Sequence, residues 1–259
     1  MDFEKWTNHF LQNKVHRSEP DWGSNFLVPL KARAALTRSL EQFELGDGGG
    51  PASLIAWNAD RFQNQTKTLR NIVDLWFAEE KEHSRLLGCA VRRYGGKKPA
   101  GHWSFTAFCL CRKWFGVQFE LTVLLLTEIS ATVYYRLLKR HCPDPAIRQM
   151  CRLIIRDETG HVAFHRDRLA TDARSGPIAF GRFWELRFRT LGHAAATMLW
   201  VNHAPCLKAL GATTREFYRE LRRELSKFIL QLRRDLCSAN KRRLIASDSP
   251  TSLRSSPSC

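Results

Sequence analysis

No apolar run in this chain approaches the ~20 residues needed to cross a bilayer, so the sequence predicts no membrane span. The opening residues, Met-Asp-Phe-Glu-Lys-Trp, lack the apolar core of a secretory leader. The expected location is therefore the reducing cytoplasm. The eight cysteines form no Cys-x-x-Cys, and Cys109-Leu-Cys111 is poorly spaced for zinc. They are expected to be free thiols acting as small hydrophobes, without structural disulfides. Period-two alternation is scarce, which argues against a β-rich fold. Acidic residues are outnumbered, 25 Asp and Glu against 41 Lys and Arg, for a net charge of +16. Between Arg215 and Arg243 ten basic residues meet four acidic ones. Such a surface favours an anionic partner, such as an acidic carrier protein or anionic lipid. Nucleic acid is not expected, because aromatics do not interleave with the basic run as base stacking requires.

What the chain has in quantity is long amphipathic segments, and these predict an all-α fold. At 259 residues, with 44% hydrophobic and 25% charged residues, it can bury one sizeable helical core. Residues 1 to 27 read as an N-terminal arm carrying Trp6, Phe10, Trp22 and Phe26. Four helical segments follow within residues 28 to 171. The first runs from Val28 to Asp47 and breaks at Gly48-Gly49-Gly50-Pro51. The second ends at Gly95-Gly96, the third near His141, and the fourth starts after Pro143-Asp144-Pro145. Residues 172 to 239 add two more helices, Phe180 to Leu210 and Thr214 to Cys237. Residues 240 to 259 are Ser, Pro and Arg rich and are expected to be disordered.

Two Glu-x-x-His pairs stand out, Glu80-Lys-Glu-His83 and Glu158-Thr-Gly-His161. In the second segment the apolar stripe is Leu69, Ile72, Val73, Trp76, Leu87 and Val91. Continued at 3.6 residues per turn, it passes through Glu80, His83 and Ser84. In the fourth it is Ile147, Met150, Cys151 and Ile154, running into Glu158, His161 and His165. Charged residues such as Asp74, Glu79, Lys81, Arg85, Arg148 and Arg152 are assigned to the solvent faces. A Glu and a His three residues apart share a helical face. Burying both is costly unless a charge compensates them, and a divalent metal is a compensation that also explains the repeat.

A third segment, from Phe119 through Tyr135, is apolar nearly all round and therefore buried. Glu128 lies in its middle, in line with Leu121, Leu124, Ala131 and Tyr135. It is protonated, paired with a base, or bound to metal. Glu120, near the start of this helix, is expected to be solvated.

The order Glu-x-x-His, Glu, Glu-x-x-His on successive helices resembles the ferritin-like di-iron carboxylate superfamily. There, two helices of a four-helix bundle each supply one Glu and the other two each supply a Glu-x-x-His. The resemblance spans roughly residues 29 to 170. It implies a ferritin-like four-helix bundle with two additional C-terminal helices. Carried over by position, Glu80, His83, Glu128, Glu158 and His161 match five of six ligands. The sixth should come from the first helix, whose stripe Leu36, Leu40, Phe43 leads to Asp47, with Glu44 one position off. A five-ligand site is the alternative.

The resemblance further implies Glu80 and Glu158 as bridging carboxylates and His83 and His161 as terminal ligands. Four carboxylates and two imidazoles suit two iron ions, or manganese, better than soft metals. Implied outcomes are dioxygen-dependent oxidation or oxygenation of a small-molecule or carrier-bound substrate, or metal storage. A non-enzymatic, basic interaction protein with a degraded site is the third reading. Tyr135 and His165 are in phase to stand behind the ligands as hydrogen-bonding groups. Trp76, Leu124 and Ile154 would line the site.

Overall fold

The computed structural model of the chain describes residues 1–15, 17–49, 67–97, 101–103, 106–107, 110, 116–175 and 180–247. The described residues form seven helices and no strand: α1 Phe3–Val15, α2 Leu30–Gly49, α3 Lys67–Arg93, α4 Gly116–His141, α5 Pro145–Ser175, α6 Arg182–Ala209 and α7 Thr214–Ser247. The all-α reading is borne out. Pro51, the segment from Ala52, Pro99, Phe105, Phe108, Trp114, Phe115, Cys109, Cys111 and the chain beyond Ser247 lie outside the described residues.

Several boundaries differ from the periodicity. The arm contains a helix, α1, that buries Trp6 and Phe10. Phe26, expected to pack, is half exposed. Helix α2 runs on through Gly48 and Gly49. Glycine lowers helix propensity but does not forbid the helix, and tertiary packing overrides it here. Helix α7 extends past position 240 to Ser247, further than its apolar seam.

Helices α2 and α3 pack along each other, as do α4 and α5, and α3 meets α5 to join the two pairs. Helix α6 lies against α2 and α4, α7 covers α4 and α5, and α1 covers α3 and α5. The turn from α4 to α5 is held by Asp144. Its Oδ1 accepts the backbone N–H groups of Ala146 and Ile147 at 3.0 and 3.3 Å, capping α5. Its Oδ2 accepts the Tyr94 hydroxyl at 2.6 Å, which ties that turn to the end of α3. Helices α3 and α6 end in the same way, on Gly95 (φ 75°) and Gly211 (φ 102°). The next N–H reaches back to Val91 and Leu207, a left-handed cap that glycine adopts without a Cβ clash.

Helix α4 is buried nearly all round. Between Phe119 and His141 it is long and apolar enough to cross a membrane, but 78% of that window is covered by the rest of the bundle. That length comes from being the central core helix of the bundle. Glu120, expected in solvent, is fully buried. The α7 seam Phe217, Leu221, Leu225, Phe228, Leu232 is buried as expected, and Arg215, Arg219, Arg222 and Arg223 stay exposed. Described cysteines form no disulfide; Cys142, Cys151 and Cys206 are buried.

Candidate metal centre

Helix phase brings Glu80 and His83 of α3, Glu128 of α4, and Glu158 and His161 of α5 into one buried cluster. The ring centres of His83 and His161 are 5.8 Å apart. Each imidazole turns Nδ1 inward and Nε2 outward. Glu80 places Oε2 3.6 Å from His83 Nδ1 and Oε1 3.1 Å from His161 Nδ1. Glu158 repeats this, with Oε1 3.7 Å from His83 Nδ1 and Oε2 3.5 Å from His161 Nδ1. Each of these two carboxylates thus spans both imidazoles. Glu128 Oε1 lies 3.6 Å from His161 Nδ1 only.

Asp47 enters from α2. Its carboxylate groups with Glu80 and His83, and Glu128 groups with Glu80 and His161, in each case with one ligand atom per residue inside a 4.8 Å span. Glu80 belongs to both sets. Continuation of α2 through Gly48 and Gly49 keeps Asp47 in phase, so its shorter side chain still reaches. Glu44 is buried but faces Gly88 and Ser84 of α3, one turn away; its backbone carbonyl accepts the Ser84 hydroxyl at 3.1 Å.

The outward nitrogens are held by a crossed pair of acids. His83 Nε2 meets Asp157 Oδ2 of α5 at 3.2 Å, and His161 Nε2 meets Glu79 Oε2 of α3 at 2.9 Å. Arg17, just beyond α1, donates to Asp157 Oδ2 at 2.6 Å and lies 3.8 Å from Glu79. Glu79 corrects the sequence reading: it is 3% exposed, not on a solvent face. Helix α3 is covered by α1, α2 and α5, so its buried sector is wider than one stripe. Neither Glu79 nor Arg17 was identified from sequence. The signal available was the acidic residue directly before each Glu-x-x-His, Glu79 and Asp157. Arg17 left none.

Aromatic groups close the surroundings. Phe10 of α1 stands 6.1 Å from the His161 ring, and Trp76 donates from Nε1 to Glu80 Oε1 at 3.1 Å. The His9 ring rests where a side chain at Gly160 would be, which lets α1 come close to α5. Tyr135 is buried with its hydroxyl making no hydrogen bond, near Asp47 and Glu158. His165 is buried edge-on to Trp76 at 5.0 Å, neither ring nitrogen hydrogen-bonded, and burial followed by the Arg168 and His161 charges keeps it neutral. It lies outside the two ligand groups. Of the predicted lining, Trp76 and Leu124 face a cavity beside the cluster, whereas Ile154 is packed in the core.

The electrostatics call for positive charge. Burial raises the Glu158 carboxyl well above its usual range, and neighbouring Glu128 raises it further. Burial and then Glu80 do the same to Asp47. Burial opposes charge on Glu80, but the adjacent His161 and His83 imidazoles outweigh it and hold that carboxyl low. Burial likewise opposes charge on His83 and His161, yet their carboxylate partners win and raise both. Asp157, against His83 and Arg17, is lowered to about 2 despite its burial. Both inward Nδ1 atoms and Glu158 Oε2 make no hydrogen bond. Buried polar atoms without hydrogen bonds, aimed at a common centre and rich in oxygen, are the donor set a divalent cation takes. The residues could hold a metal ion.

The cavity beside the cluster measures about 440 Å³ and is bounded by α2, α3, α4 and α6, with Asp47, Glu80, Glu128 and Glu158 in its wall. Compared with known protein families, curated proteins and solved structures, the chain matches none.

Proposed function

We propose that this chain is a ferritin-like di-iron carboxylate protein that carries out dioxygen-dependent oxidation or oxygenation of a small organic substrate. The observation that carries this reading is the paired geometry of Glu80 and Glu158, each spanning the two inward Nδ1 atoms. That arrangement suits divalent ions held between α3 and α5. Glu80 and Glu158 would help hold both ions, with His83 and Asp47 holding one and His161 and Glu128 the other. Bound iron would supply the electrons and binding position for dioxygen; manganese fits the same donors.

The chain's own residues do the rest. Asp157 and Glu79 orient the imidazoles so that Nδ1 faces the centre. Phe10 and Trp76 cover the centre on its His161 side. The adjoining cavity gives a substrate access to the carboxylate cluster, which favours an oxidase over a storage protein. Asp47, standing with Glu80 and His83, weighs against a degraded site. The exposed arginines of α7 favour an anionic partner on the outer face of the bundle.

The test is reconstitution with ferrous iron without oxygen, followed by metal analysis and oxygen-uptake measurement. The expected result is two irons per folded chain and oxygen consumption on exposure to air. Folded chain that retains less than one iron overturns the reading.

A further inference from the structure

The cavity wall differs in chemistry from the cluster it adjoins. One face of α6 supplies Leu191, Ala194, Ala195, Met198, Leu199 and Asn202, spaced three or four residues apart along about three turns. An apolar helix stripe of this kind ordinarily packs against a neighbour. Here it borders about 440 Å³ of space, in the range of small-molecule sites. Met198 is 44% exposed, so the space opens to solvent along α6. Small side chains (Gly46 on α2, Ala131 on α4, Ala194 and Ala195 on α6) make the room, and Phe43, Phe77 and Val123 complete the apolar lining.

Among the described lining residues there is no Lys or Arg. The anionic residues there are the carboxylates already assigned to metal. The other polar groups there are Gln42, Thr127, Asn202, Tyr135 and the histidines His102 and His203, of which buried His203 is held uncharged. Ser39, which bonds His203 at 2.8 Å, precedes Asp47 by eight residues on α2, about 12 Å along the axis. A phosphate, sulfonate or carboxylate placed in this space would lose its hydration without meeting a Lys or Arg among the described lining residues. This holds although the chain as a whole carries +16.

We infer that the cavity along α6 is the substrate site and that it takes a neutral, mainly apolar small molecule, selected against anions. This rests on the di-iron reading only for calling the occupant a substrate; binding itself needs no metal. The test is fluorescence titration of the folded chain with the neutral probe N-phenyl-1-naphthylamine and with its anionic relative 8-anilinonaphthalene-1-sulfonate. Ala195→Trp and Met198→Trp fill the cavity, the second from a half-exposed position that folding tolerates. The neutral probe is expected to bind at least 10-fold more tightly to the wild type than to either variant, with iron content unchanged in both. The anionic probe is expected to show no component that these variants remove. An anion component removed by both variants overturns the inference, as does neutral-probe binding that neither variant weakens. Loss of iron stoichiometry in the wild type overturns the di-iron reading and leaves the probe result standing.

Discussion

His161 Nε2 and Glu79 Oε2 meet at 2.9 Å across the α5–α3 interface, and His83 Nε2 with Asp157 Oδ2 makes the reciprocal contact at 3.2 Å. Each Glu-x-x-His helix thus orients the imidazole of the other. Arg17 reaches both acids and offsets their charge. Removing a group that orients a ligand typically costs 10–100-fold in metal affinity. Glu79→Gln keeps a hydrogen-bond acceptor but loses the charge, and should weaken iron binding by about 10-fold in chelator competition. Arg17→Ala should act in the same direction by leaving Asp157 uncompensated. Unchanged affinity in Glu79→Gln would show the contact to be structural only.

Asp47 is the ligand whose assignment depended most on helix phase. Its carboxylate groups with Glu80 and His83 but not with the Glu128 and His161 set. Asp47→Asn should therefore lower occupancy of one ion and leave the other bound, giving about one iron per chain. Glu44→Gln, facing Gly88 a turn away, should leave the stoichiometry at two. Retention of two irons in Asp47→Asn refutes the assignment.

Glu158 and Glu120 are both buried carboxylates, yet only Glu158 faces the imidazoles. Glu158→Ala should abolish most metal binding. Glu120→Ala should leave metal content intact but lower stability by about 1–3 kcal/mol, since it truncates a fully buried side chain. Equal metal loss in the two variants, measured by elemental analysis, would mean the cluster is misassigned.

The centre was legible because its residues repeat at the helical period on stripes that also carry the core. Glu80, His83, Glu128, Glu158 and His161 converge because their neighbours Trp76, Leu124 and Ile154 must be buried. Glu79 was not legible, because one-stripe reasoning supposes a helix covered from one side, and α3 is covered from three. Glu120 was misplaced because a position near the start of α4 was read as exposed, whereas it is fully buried. Arg17 acts from outside the bundle through a contact 140 residues away in sequence, a separation that periodicity cannot address. The cavity along α6 was invisible in sequence because an apolar stripe reads alike whether it meets a neighbour or a void.

His203 offers a test that does not depend on metal binding. Its Nδ1 bonds the Ser39 hydroxyl at 2.8 Å, which in turn bonds the Tyr134 hydroxyl at 2.6 Å, and its ring lies 4.4 Å from Phe43. Burial, and secondarily the charge of His102, push its pKa down from 6.5 to about 3. Below pH 6.5 the unfolded chain takes up a proton here that the folded chain refuses. The stability contribution is therefore complete above pH 6.5 and is lost as pH falls toward 3, at up to about 1.4 kcal/mol per pH unit. Between pH 7 and pH 5 this single group should cost the wild type about 2 kcal/mol. His203→Gln cannot titrate, so its urea-unfolding free energy should fall less over the same interval, by that difference. Parallel pH dependence in wild type and variant would mean that the folded and unfolded chains protonate His203 alike, so that burial does not hold it neutral.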